Sequence, residues 1–141
     1  MSFLKKLFAP KNQKTGIVFI IEDNATYSKT VEAFIKANFS EVKNVRIFPV
    51  GETCLPELDK NPDIIIVDYL LNSKYFDAES GLEIIKKIRS QSPNVSIVVL
   101  SSQQEIDVVT QLVKTYNCNY IKKDDQAFDK MKEMINTFYK S

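Results

Sequence analysis

Carboxylates, a hydroxyl and ammonium groups recur in this chain at one kind of place, directly after short apolar runs. Gly16 to Ile21 is followed by Glu22-Asp23, and Asp63 to Val67 by Asp68. Val95 to Leu100 is followed by Ser101-Ser102, and Cys118 to Ile121 by Lys122-Lys123. If these runs are strands of one parallel sheet, the polar groups meet at its C-terminal edge, where open α/β sheets bind ligands. Carboxylates gathered there repel one another unless a cation sits among them. All-oxygen ligation with room for water suits a hard ion, Mg²⁺ above all. A hydroxyl and an ammonium beside that ion can hold a phosphoryl group. An Asp carboxylate can take such a group covalently, as an aspartyl phosphate. Asp68 is the centre of the set, because it ends a β-branched run that reads as a strand buried on both faces.

Each of these residues also has a plain structural reading. A carboxylate after a strand is often only a helix cap, Ser101 a turn residue, and Lys123 a solvated surface charge. Their joint occurrence at the ends of four strands in one series is what points to a site.

The intervening segments supply the scaffold. Ala25 to Asn38 places Tyr27, Val31, Phe34 and Ile35 at the helical period, with Asn24 as its N-cap. Val45 to Val50 reads as a second strand, and Pro49 marks an edge or the strand's end. Gly51 to Lys60 is a short helix with Cys54, Leu55 and Leu58 inward. Tyr69 to Ser80 is a long βα loop, and Gly81 to Ser90 a helix with Leu82, Ile85 and Ile88 on one side. Glu105 to Thr115 is read as a helix packed through Ile106, Val109, Leu112 and Val113. Asp124-Asp125 starts the last helix, whose stripe runs through Phe128, Met131, Met134 or Ile135, and Phe138. Strand and helix alternate five times, which predicts an α/β fold: a doubly wound parallel sheet with helices on both faces.

Composition narrows the function classes. The 141 residues suffice for one domain, here 15–141, preceded by a leader at 1–14. In that leader Phe3, Leu4, Leu7 and Phe8 fall at helical spacing among lysines, a pattern that can touch a membrane surface or a partner. A net charge of +1 gives no whole-chain field for nucleic acid, and no direct nucleic-acid binding is expected. The chain has no His, so His-based catalysis and His metal ligation are excluded. The two cysteines, Cys54 and Cys118, lack metal-type spacing and are expected to be reduced and buried in a cytoplasmic protein.

From Thr15 to Tyr139 the chain resembles the receiver domain of two-component response regulators. The phrases Pro-Asp-Ile-Ile-Ile-Val-Asp, Gly-Leu-Glu-Ile-Ile-Lys-Lys-Ile-Arg, Ile-Val-Val-Leu-Ser-Ser and Asn-Tyr-Ile-Lys-Lys-Asp carry the resemblance. It implies a flavodoxin-like sheet in strand order 2-1-3-4-5, with Asp68 as phosphoacceptor. Glu22, Asp23, Asp68 and the backbone carbonyl of Leu70 are the implied Mg²⁺ ligands. Lys123 is implied to pair with the phosphoryl group, and Ser101 and Tyr120 to form the switch. Leu70 and Gln103 stand where the family tunes hydrolysis. Leu70 is apolar and cannot help orient a hydrolytic water, whereas Gln103 is polar and could; a fairly long-lived phosphoryl state is expected. The implied partners are a sensor histidine kinase or phosphotransfer protein and a downstream protein target. A dimer through the fourth helix, fifth strand and fifth helix is a further implied arrangement. The chain is read as a stand-alone receiver, not an enzyme beyond its own phosphorylation and dephosphorylation. A receiver-fold scaffold that no longer cycles is the alternative. Departures from the family pattern are Glu22 in place of the commoner Asp, a longer loop after Asp68, and Asp124 where Pro is common.

Overall fold

The computed structural model describes residues 13–69, 81–102 and 106–140. The leader apart from Gln13 and Lys14, the loop after Tyr69, and Leu70 and Gln103 with the roles expected of them, therefore lie outside the described residues. The elements are β1 (Ile17–Ile21), α1 (Ala25–Asn38), β2 (Asn44–Phe48), α2 (Gly51–Lys60), β3 (Ile64–Asp68), α3 (Gly81–Gln91) and β4 (Ser96–Ser101). They continue with α4 (Ile106–Thr110, extended by a π-helical stretch Gln111–Thr115), β5 (Asn119–Lys122) and α5 (Ala127–Lys140). The strands form one parallel sheet in the order β2-β1-β3-β4-β5.

Period-two alternation splits the strand side chains between two cores. Phe19, Ile21, Ile65, Val67, Ile97 and Val99 face one side, where Cys54 and Leu58 of α2, Ile84, Ile85 and Ile88 of α3, and Leu112 cover them. Val18, Ile20, Ile64, Ile66, Val98 and Leu100 face the other, under Val31 and Ile35 of α1 and Met131 and Ile135 of α5. Ile64, Ile65, Ile66 and Val67 are all at most 1% exposed, so β3 is the buried centre that its β-branched run predicts.

Several boundaries differ from the sequence expectation. β2 stops at Phe48, before Pro49, and lies at the sheet edge. α2 is wound as a 3₁₀ helix with Pro56 inside it. α5 begins at Ala127 and not at Asp124-Asp125, because Asp124 turns the chain by accepting the Gln126 N–H at 2.9 Å. The expected stripe of α4 is mostly not buried: Leu112 is fully covered, but Ile106 is 81% and Val113 43% exposed. Both cysteines are buried and free, and burial pushes the Cys54 thiol up to about 12.

Gly81 brings α3 against the strand it follows. A Cβ there would collide with the backbone carbonyl of Tyr69, at the exit from β3. Glycine thus closes the two flanks of the long loop onto each other, immediately beside Asp68.

Candidate phosphoryl and cation site

The register of the sheet sets which strand ends meet. β1 and β3 align Ile21 with Val67, so the next residues, Glu22 and Asp68, are neighbours. β3 and β4 align Asp68 with Leu100, which puts Ser101 one step further out, and β4 and β5 align Ser101 with Lys122. Glu22, Asp68 and Ser101 are 3%, 8% and 1% exposed, which for two carboxylates at one edge is a costly placement.

The cost is partly offset by a single ammonium. Lys123 Nζ lies 3.1 Å from Glu22 Oε1 and 3.2 Å from Asp68 Oδ2. The same ammonium sits 4.0 Å above the centre of the Tyr27 ring. Its backbone N–H is fixed to the Ser101 carbonyl at 2.9 Å, which aims Lys123 inward while Lys122 remains exposed. Glu22 Oε2 accepts the Asn24 N–H at 3.2 Å, and Asn24 Oδ1 accepts the Tyr27 N–H at 2.9 Å as the N-cap of α1. One capping residue therefore holds both Glu22 and Tyr27 in place. The role of Tyr27 is not visible in the sequence, where it is one more apolar position of a helix. A signal exists only in hindsight: three residues after the N-cap, on the first turn, a ring overhangs the strand end.

The electrostatics follow from this packing. Burial, together with a hydrogen bond to and repulsion from Asp68, pushes the Glu22 carboxyl up to about 7. Burial pulls the Lys123 ammonium down, but the carboxylates of Asp68 and Glu22 outweigh it and its net shift is upward. Glu22, Asp23 and Asp68 each offer an oxygen, all within 4.8 Å of one another. A donor set of carboxylate oxygens, two of them crowded and underneutralised, fits a hard divalent cation.

Ser101 and Tyr120 are joined as well, though through the backbone: the Tyr120 hydroxyl donates to the Ser101 carbonyl at 3.3 Å. Tyr120 packs at the margin of the core under α2, α3 and α4, half-buried. Of the expected site residues, the structure thus assembles Glu22, Asp23, Asp68 and Lys123 in one cluster and Ser101 and Tyr120 beside it.

The chain matches the family model described as "Response regulator receiver domain" over residues 18–136. It is 27% identical over 109 residues to a cyclic di-GMP phosphodiesterase of Thermotoga maritima, across 75% of this chain and 26% of that protein. The chain thus spans about a quarter of the length of that curated relative. Among solved structures, it superposes with a TM-score of 0.72 on the signal receiver domain of a LuxO repressor protein from Vibrio parahaemolyticus, at 17% identity over 88% of this chain and 89% of that one. The Salmonella typhimurium response regulator RcsB matches with a TM-score of 0.74 at 18% identity, over 92% of this chain and 61% of that one. The BeF₃-activated DrrB receiver domain matches with a TM-score of 0.71 at 16% identity, over 89% and 97%.

Proposed function

The chain belongs to the response regulator receiver domain family, and from that premise we propose that Asp68 accepts a phosphoryl group from a histidine kinase or phosphotransfer protein. The observation that supports this reading is the shared ammonium: Lys123 lies within 3.2 Å of Asp68 and 3.1 Å of Glu22 at the C-terminal edge of the sheet. Asp68 attacks phosphorus, the bond to the donor's imidazole nitrogen breaks, and that nitrogen keeps the electron pair. An acyl phosphate remains on Asp68. Lys123, already placed against the Asp68 carboxylate, then pairs with the new phosphoryl oxygens. Glu22, Asp23 and Asp68, with the backbone carbonyl of Leu70, would hold Mg²⁺, which would neutralise charge gathering on the phosphoryl oxygens.

The phosphoryl group adds charge to the site and so biases a neighbouring two-state element. We assign that element to Ser101 and Tyr120. The Ser101 hydroxyl bonds the phosphoryl group, and Tyr120 exchanges its bond to the Ser101 carbonyl for an inward position. The surface of α4, β5 and α5 changes in consequence, and with it the preference for a downstream protein target or a second copy. Leu70 offers no group to orient water, so the phosphoryl state is expected to decay slowly; decay within seconds would contradict this.

Beryllofluoride, which mimics a phosphoryl group on a carboxylate, tests the reading. Titrated with Mg²⁺ into the labelled chain, it is expected to shift the amide resonances of Ser101, Tyr120 and Lys123 in slow exchange. The Asp68→Asn variant is expected to show no such shift. Identical spectra for the two proteins would remove Asp68 from the centre of the mechanism.

A further inference from the structure

The Lys123 ammonium is held from three sides. Its Nζ lies 3.1 Å from Glu22 Oε1, 3.2 Å from Asp68 Oδ2 and 4.0 Å from the centre of the Tyr27 ring. The first two contacts are charged, and phosphoryl oxygens arriving on Asp68 compete with both for the ammonium. The third is of another kind: a π face attracts a cation through its quadrupole and carries no charge of its own. It can therefore persist when a phosphoryl group takes its share of the ammonium. Such a hold matters for lysine, a strongly hydrated point charge on a flexible four-carbon stem. The Lys123 side chain keeps 28% of its surface exposed, so water competes for it.

The ring is itself fixed. Tyr27 stands in the first turn of α1, where its backbone N–H donates to Asn24 Oδ1 at 2.9 Å. Its ring centre lies 6.1 Å from that of Phe128 on α5, and Phe128 packs edge-on against Phe34 at 5.0 Å. Tyr27 is thus half-buried at the margin of the core that α1 and α5 cover. The other end of the lysine is fixed too, because the Lys123 backbone N–H donates to the Ser101 carbonyl at 2.9 Å. A four-carbon stem is bracketed between an anchored backbone and an anchored ring.

We propose that Tyr27 is a positioning residue for phosphoryl transfer, its ring face holding the Lys123 ammonium against Asp68. Tyr27 acts through Lys123 and not on the reacting atoms. A cation already in place needs no reorganisation as charge develops on the transferring group, and preorganisation of that kind is a main source of rate. The ring face meets the cation, so the phenolic hydroxyl is dispensable for this role. If Tyr27 only filled space beside Phe128, any apolar side chain of similar size would serve as well. The inference rests on the reading of Asp68 as phosphoacceptor, and adds to it a residue of α1 that the pattern of polar strand ends does not include.

The rate of labelling of the full chain by acetyl phosphate with Mg²⁺ tests it in three variants. Tyr27→Phe keeps the ring face and is expected to react at close to the wild-type rate. Tyr27→Leu and Tyr27→Met keep apolar bulk without a ring and are expected to react more slowly, by roughly 2- to 30-fold, the span from exposed to desolvated cation–π contacts. Circular dichroism confirms that the variants stay folded. A second reading is independent of phosphorylation. The Lys123 ε-methylene resonances, assigned by their loss from Lys123→Arg, are expected to be shifted upfield by the ring in wild type and Tyr27→Phe, and to return to the ordinary lysine position in the other two. Unchanged rates in Tyr27→Leu and Tyr27→Met, an equal loss in Tyr27→Phe, or unshifted Lys123 resonances in the wild type would overturn the inference. Failure of the wild-type chain to be labelled by either acetyl phosphate or a histidine kinase would instead remove the reading on which it rests, and this role with it.

Discussion

Glu22 is buried against Asp68, and that placement, more than the ammonium the two share, sets how Glu22 titrates. Its carboxyl is pushed up to about 7 from 4.5, so between these values the native state holds a proton that the unfolded chain has lost. Stability of the metal-free protein therefore falls as pH rises through this window and stays reduced above it, by up to about 3 kcal/mol from this group. Glu22→Gln is expected to flatten that slope and to raise the melting temperature of the metal-free protein at about pH 8. Mg²⁺ is expected to raise the wild-type melting temperature more at about pH 8 than at about pH 5, because a cation rewards the charged carboxyl. Thermal melts with Mg²⁺ and with chelator read both effects; equal Mg²⁺ responses at the two pH values would refute them. The residue types of the site were legible in the sequence because each follows an apolar run. The Lys123 contact with Tyr27 was not, since it depends on where α1 starts.

Among the elements, α4 shows where periodicity misleads. Ile106, Val109, Leu112 and Val113 fit a buried stripe in sequence, yet only Leu112 of these is fully covered. The second half of the element is π-helical, and a wider turn no longer stacks residues three and four apart on one face. Leu112→Ala is expected to cost about 2–5 kcal/mol. Ile106→Ser is expected to change stability by no more than about 0.5 kcal/mol. Urea titration separates the two, and comparable losses would mean that α4 packs as the sequence pattern suggested. The end of this region is tied down differently. The Arg89 guanidinium donates to the carbonyls of Tyr116, Ser92, Pro93, Val95 and Asn117, at 2.6 to 3.3 Å. Arg89→Leu leaves these carbonyls without that donor and is expected to cost about 2–3 kcal/mol, with faster amide exchange around 92–95 and 116–118. Unchanged exchange in both loops would show that they hold without the clamp.

At the scale of the molecule, two cores share one sheet, so neither can open without exposing strands that the other needs. Far-UV circular dichroism and tyrosine fluorescence are expected to report one coincident urea transition, and separated midpoints would contradict a single cooperative unit. The strand series and the two-faced sheet were readable from β-branched runs alternating with helical periods. The register across the strands was not, because only the folded sheet sets which strand ends lie side by side. The same topology gathers Glu22, Asp68, Ser101 and Lys123 from distant parts of the chain, and the function we propose for them is to support phosphorylation of Asp68. Intact-mass measurement after incubation with acetyl phosphate and Mg²⁺, run beside Asp68→Asn, is the decisive test of that function. One added phosphoryl group is expected on the wild-type chain, lost on chelation of Mg²⁺ beforehand and absent from the variant. An adduct that persists in Asp68→Asn, or none on the folded wild-type chain with either acetyl phosphate or a histidine kinase as donor, would contradict it.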